Sequence, residues 1–179
     1  MGSWQENILL INDAVAKIPY IEPRTSKNLL HLLFLFNSFE NIEMGFNDHP
    51  RNIFYRNYSL DLIYYEKTFV FFKERYVNGD KTNKRFEDLF GRDKRAINNS
   101  NRIKENVSGY LLDEQVSDEN KLYTCIEISY RFRNNIFHGT KAVFELDCYN
   151  DCYDVIIELF SNILQHSQCK RGWRGNWKS

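Results

Sequence analysis

Between residues 149 and 166, the side chains Tyr153, Ile156, Ile157, Phe160, Ile163 and Leu164 recur at the spacing of one face of an α-helix. A stripe that wide is stable only against a second apolar surface, so the helix must pack inside a larger body. The rest of the chain offers such surfaces in the same period. Residues 26–44 hold Leu29, Leu30, Leu32, Leu33, Phe34, Leu35 and Phe36, a helix apolar almost all round and therefore expected at the centre. Residues 59–77 place Leu62, Tyr65, Phe69 and Phe72 in phase, and Asn78-Gly79-Asp80 closes that helix with turn chemistry. A first helix is expected over 4–18, opened by Ser3 with Glu6 as a capping box and closed by Pro19 and Pro23. Short helices are expected near 85–90 and 100–110, and a connector with extended character over 140–147. With only three prolines and eight glycines, the chain leaves room for long helices, and the expected fold class is all-α.

At 179 residues the chain reads as one domain over 1–168, with a basic insertion at 80–117 and a separate tail at 169–179. Aromatic residues make up 16%, so rings rather than small aliphatics fill the interior. No apolar run reaches the length of a membrane span, and the first residues lack a basic start and a cleavage site, so a cytoplasmic location is expected. The four cysteines (Cys125, Cys148, Cys152 and Cys169) then read as reduced thiols. Cys148, Cys152, His166 and Cys169 do not have the spacing of a known zinc finger, so neither a metal nor another cofactor is assigned. His31 is expected as a core histidine with a satisfied hydrogen bond, His49 as a loop residue, and His166 as a cation at a helix C-terminus.

Net charge is zero, which argues against a generic polyanion-binding surface, but the charge is unevenly spread. From Asp80 to Lys104 there are eight basic residues, among them Arg92, Lys94, Arg95 and Arg102, against four acids. The tail adds Lys170, Arg171, Arg174 and Lys178 with no acid and interleaves Trp173 and Trp177. Bases stack on rings and phosphates pair with cations, so both stretches suit single-stranded RNA; the alternative is a solvated face and a loose terminus.

Residues 129–141 read Ser-Tyr-Arg-Phe-Arg-Asn-Asn-Ile-Phe-His-Gly-Thr-Lys. The helix leading into them is expected from Asp118 through Lys121 to Phe137, with Leu122, Cys125, Ile126, Ser129 and Ile136 on its apolar side. Arg133 falls on that same side. A guanidinium on a buried stripe must meet a carboxylate, carbonyls or an anionic ligand. Gly139 is a stop signal that leaves His138 at an accessible helix end. Arginine can brace a phosphoryl group with two parallel hydrogen bonds, histidine can move a proton near neutral pH, and the amide of Asn134 can orient either one. If the helix continued, Arg133 and His138 would point roughly 140° apart, which favours a site shared between two subunits.

Arg133-Asn134-Asn135-Ile136-Phe137-His138-Gly139 resembles the R-N-x-x-x-H signature of HEPN domains, and the trailing glycine is similar to that of the Apea-like group. The resemblance implies a helical bundle with a four-helix core and short inserted helices. It implies a homodimer that brings two motifs together and, in active members, cuts RNA without metal. Arg133 and His138 would then be catalytic and Asn134 their polar partner. Arg131 is a rival arginine within the family's spacing; Arg133 is preferred because Asn134 follows it. Lys141 would contact the RNA backbone, along with Arg131, Arg92, Lys94, Arg95 and Arg102. Members with nucleotidyltransferase antitoxins often carry a tyrosine two residues after the histidine; Thr140 stands there in this chain, which reads against that arrangement. An antitoxin or other regulatory partner, and a role as a toxin or in antiphage defence, follow from the resemblance alone. Three readings are carried forward: a metal-independent endoribonuclease, a non-catalytic module that binds nucleotide or RNA or dimerises, and a purely structural Arg133 paired with an acid.

Overall fold

The computed structural model describes residues 21–43, 64–91, 97–137 and 143–171. Over these residues the chain is all-α apart from one two-stranded hairpin. In order they form α1 (Pro23–Glu43), α2 (Glu66–Tyr76), β1 (Val77–Asn78), β2 (Lys81–Thr82), α3 (Lys84–Phe90), α4 (Ile97–Leu112), α5 (Asp118–Phe137), a 3-10 helix (Val143–Tyr149) and α6 (Asn150–Arg171). The helix expected over 4–18 and the loop holding His49 lie outside the described residues.

The α6 stripe does what its period demands. Tyr153, Ile156, Phe160 and Ile163 are fully buried, chiefly against α1, which offers Leu32, Leu35, Phe36 and Phe39. The two helices run parallel, because polar contacts fix their N-terminal ends and rings fix their middles. Asn150 Nδ2 donates to Thr25 Oγ1 at 2.8 Å, and Asn28 Nδ2 donates to Asp154 Oδ1 at 3.0 Å. Further along, Phe36 and Phe39 meet the Phe160 ring at centroid distances of 4.5 and 5.1 Å. Each buried amide in that polar layer finds partners, so the layer sets register without an unsatisfied group. Against α2, α6 runs antiparallel: Asn162 Oδ1 accepts from the Tyr64 backbone, and Lys67 reaches Glu158 at 2.6 Å.

The central position expected for α1 holds for only one of its faces. Leu30, Leu33 and Phe34 are 69, 47 and 68% exposed. His31 is exposed as well, rather than a core histidine. A run of Leu and Phe shows that a helix has apolar surface on every side, but burial depends on how many neighbours come to cover it. Two more expectations change. Residues 143–147 are 3-10 helical, not extended, and tighten into α6, where the Tyr153 hydroxyl donates to the Leu146 carbonyl at 3.0 Å. Because α6 continues to Arg171, His166 stands more than a turn before its end rather than at the C-terminus expected from sequence.

The turn after α2 is a hairpin, with Val77 paired to Thr82 and Asn78 to Lys81. Gly79 takes φ 65° at the first central position while Asp80 stays negative, an arrangement matching a II′ turn. The hairpin leads directly into α3. Asn83 caps that helix: its Oδ1 accepts from the Arg85 and Phe86 backbone amides at 3.0 and 3.3 Å. Its Nδ2 donates to the Arg75 carbonyl at 2.9 Å, tying the end of α2 to the start of α3. Asn83→Ala is expected to cost about 1 kcal/mol, read as a lower midpoint in urea unfolding with unchanged slope. In the basic stretch Lys81, Lys84, Arg85 and Arg102 are exposed, while Phe86, Leu89, Phe90, Ile103, Val107 and Leu111 join the core. The second of its helices, α4, is longer than the 100–110 expected from sequence.

Candidate active site

Helix α5 spans Asp118–Phe137, the bounds its pattern predicts. Asp118 and Glu119 in its first turn suit the helix dipole. Leu122, Cys125, Ile126, Ser129 and Phe132 are buried, and α2, α3 and α4 all pack against it. Burial also takes in Thr124, Glu127 and Ile128, so the helix is enclosed more widely than a single stripe requires. The Cys125 thiol, held in that core, is pushed well above its usual range by burial and is inert by environment.

Arg133 leaves this core toward α1. Its side chain is 27% exposed, and its Cζ lies 5.7 Å from the centre of the Phe36 ring, which serves as an apolar floor. Nη2 stands 3.5 Å from Glu40 Oε1, and Nη1 donates to Asn134 Oδ1 at 3.2 Å. The first contact is longer than a normal charge-assisted hydrogen bond and involves one nitrogen only. Nε is buried and has no hydrogen-bond partner among the described residues. A buried N–H left unsatisfied typically costs about 1–3 kcal/mol, so this guanidinium has an unmet demand for an acceptor. Glu40 answers the sequence argument that Arg133 needs a counterpart, but only partly.

Tyr130 completes the seat. Its ring meets Phe36 edge-on at 5.1 Å. Burial first, and the Glu40 carboxylate next, push its phenol above the usual range, so it stays protonated at neutral pH. The resulting seat has one cation, one partly exposed carboxylate, an amide and a neutral phenol beside aromatic rings. Such a set can take an oxyanion by exchanging the long carboxylate contact for a shorter, two-pronged one.

The other residues singled out in sequence fall in different places. Asn134 lies beside Arg133 and accepts its Nη1–H through Oδ1. His138 and Lys141, with Arg92, Lys94 and Arg95, lie outside the described residues. Arg131, two residues from Arg133 and so on another side of α5, stacks over Phe90 with its Cζ 5.6 Å from the ring centre. Asn135, one turn on from Arg131, donates to the Leu89 carbonyl at 3.0 Å. The rival arginines thus face different helices: Arg131 faces α3, and Arg133 faces α1. Arg102 is exposed on α4. The short link between α4 and α5 makes them antiparallel neighbours, and Tyr110 against Tyr123 sets a register that puts Arg102 level with Arg131.

Sequence reasoning missed Glu40 and Arg75. Glu40 follows Phe36 by one helical turn, but nothing local marks it among the chain's acids. Arg75 lies between the rings of Tyr76 and Tyr149, with its Cζ 5.9 and 5.8 Å from their centres, and its Nε is also buried without a partner. Among the described residues no three His, Cys, Asp or Glu side chains gather closely enough to hold a metal ion, and Cys125, Cys148 and Cys152 are free thiols. No helix among them is long and apolar enough to cross a membrane. Compared with family models, with curated proteins and with solved structures, the chain matches none.

Proposed function

We propose that the chain is a metal-independent endoribonuclease of HEPN type, acting as a homodimer with Arg133, Asn134 and His138 of each subunit at a shared site. The observation that supports this most is the seat of Arg133: a half-buried guanidinium over Phe36, oriented by Asn134, with an unsatisfied Nε and a 3.5 Å contact to Glu40. Arg133 meets Glu40 through one nitrogen only and leaves Nε without a partner among the described residues, so it retains capacity for an anionic acceptor. In the reaction, the 2′-hydroxyl of RNA attacks the adjacent phosphate, one His138 imidazole takes its proton, and an imidazolium protonates the departing 5′-oxygen. The products are a 2′,3′-cyclic phosphate and a 5′-hydroxyl. Arg133 bears the charge that builds on the phosphorane-like transition state. Lys141, Arg131, Arg102 and the Arg92–Arg95 stretch hold the strand. A toxin or antiphage role in the cytoplasm, held in check by an antitoxin or other partner, fits this chemistry.

The test is incubation of the purified protein in EDTA with a 5′-labelled RNA of mixed sequence, beside Arg133→Ala and His138→Ala. Cleavage by wild type alone, with cyclic phosphate ends, is the expected result. Equal cleavage by the double variant would overturn the assignment, and tight binding without products would favour a non-catalytic module.

Glu40 competes with any phosphate for Arg133. An ion pair this exposed is worth roughly 0.2–1 kcal/mol, so Glu40→Gln is expected to raise affinity for a 2′-deoxy RNA analogue by about 1.4- to 5-fold. Fluorescence anisotropy at fixed salt reads it directly. Unchanged or weaker binding would mean that the anion does not sit at Arg133.

A further inference from the structure

A second arginine, on a different part of the fold, is held by aromatic rings and short of acceptors. Arg75 lies half-buried in the last turn of α2. Its Cζ is 5.9 Å from the centre of the Tyr76 ring and 5.8 Å from that of Tyr149, so the guanidinium sits between two aromatic walls. Phe132 braces the Tyr149 wall edge-on at 5.5 Å. The Tyr76 wall packs on Phe72 and Phe86 at 6.0 and 6.2 Å. Rings fixed in this way hold the arginine fork in one place.

What the seat lacks is negative charge. Among the described residues no carboxylate pairs with Arg75, and its Nε is buried with no hydrogen-bond partner. Ring faces attract a guanidinium but offer no lone pair in its plane, so its N–H groups retain capacity for an acceptor. A cation drawn partly out of water without a counter-charge is costly, and a bound anion offsets that cost. The Tyr76 phenol adds a possible donor. Burial above all pushes it over its usual range, while the Arg75 guanidinium beside it pulls the other way, and it stays protonated at neutral pH.

The surrounding charge favours a phosphate group over a single carboxylate. From Arg75 to Arg85 four cations, Arg75, Lys81, Lys84 and Arg85, stand against one acid, Asp80. Lys81, Lys84 and Arg85 are all exposed. The bond from Asn83 Nδ2 to the Arg75 carbonyl brings the start of α3, which carries Lys84 and Arg85, up to the end of α2. Glu87, the next acid along the chain, is paired with Lys104. Glu74 precedes Arg75 in α2 and points about 100° away around the helix. A local excess of positive charge beside an arginine fork suits a group with several anionic oxygens. We propose that Arg75, between Tyr76 and Tyr149, is an anion site that grips a phosphate group, with Lys84 and Arg85 supplying the surrounding positive field. The site does not rest on the RNA reading of Arg133, because the group it grips is the same in an RNA strand and in a free nucleotide.

The experiment follows the arginine Nε–H resonances of the ¹⁵N-labelled full-length chain while sodium phosphate is added at constant ionic strength. The Arg75 resonance, assigned through its own backbone, is expected to move and to saturate. In Arg75→Met, phosphate affinity read from the Tyr149 amide is expected to fall about 10- to 150-fold, the loss of a charge-assisted hydrogen bond. Melting of this variant without phosphate reads any structural contribution separately, and the wild-type titration decides even where the variant does not fold. AMP and the 2′-deoxy RNA analogue then compete with phosphate. Displacement at lower concentration by the strand assigns a strand phosphate to Arg75, and by AMP a free nucleotide. An Arg75 resonance that does not move, or equal affinity in Arg75→Met, would overturn the proposal. Movement of the Arg133 resonance alone would overturn it too, while leaving the proposed role of Arg133 standing.

Discussion

Arg133→Ala is expected to lower the rate of RNA cleavage by about 10²–10³-fold while leaving the fold in place, because in the proposed reaction it removes a donor to transition-state charge. The guanidinium meets Glu40 through one nitrogen at 3.5 Å, and both side chains are about a third exposed or less. Truncation therefore strands no deeply buried partner charge, and the melting temperature should move little. Arg133→Lys separates charge from shape. A lysine keeps the positive charge but loses the planar fork, so most of the loss should persist. Arg131→Ala is the matched control: that arginine stacks on Phe90 and faces α3, so it should weaken strand binding without reaching the same loss in single-turnover cleavage. Single-turnover rates at saturating RNA, beside circular dichroism melts, check all three. If Arg131→Ala is the silent variant and Arg133→Ala is not, the assignment of the two arginines is reversed.

The largest stability effect is expected at Phe36. This ring is 1% exposed and lies among Phe160 at 4.5 Å, Tyr130 at 5.1 Å and the Arg133 guanidinium at 5.7 Å. Phe36→Ala removes a buried ring from the seam between α1 and α6 and leaves a cavity among Phe160, Tyr130 and Arg133. The expected loss is about 3–5 kcal/mol, enough to unfold a domain at the lower end of ordinary stability. Urea unfolding followed by circular dichroism measures it. The same substitution takes away the floor under Arg133, so cleavage should fall even where the variant is still folded. Phe36→Leu refills much of the volume and is expected to recover more stability than activity. A loss below about 1 kcal/mol in Phe36→Ala would mean that the α1–α6 seam is not closed as described.

Much of the helical layout is legible in the chain because it depends on neighbours three and four residues apart. Asp118 and Phe137 bound α5 as the pattern predicts, and the α6 stripe of Tyr153, Ile156, Phe160 and Ile163 is buried in full. Errors cluster where local pattern underdetermines the outcome. Leu30, Leu33 and Phe34 look as apolar as Leu32, Leu35 and Phe36, yet one set is exposed and the other buried, and His31 goes with the exposed set. Residues 143–147 read as extended but take a short 3-10 turn, held partly by the bond from Tyr153 to Leu146. The hairpin at Val77–Thr82 was signalled only as a turn, since strands of two residues leave no period to read.

The candidate site divides in the same way. By itself the sequence determined the helix that carries Arg133 and Asn134, the phase that aims Arg133 at a buried side, and the need for a partner there. Those follow from backbone geometry and the cost of burying charge, which act within a few residues. Only the tertiary structure decided that the partner is Glu40, that Phe36 lies beneath the guanidinium, and that Arg131 turns away toward Phe90. Those contacts join helices far apart in the chain, and no local preference encodes which helix packs beside which; that choice belongs to the packing of the whole core.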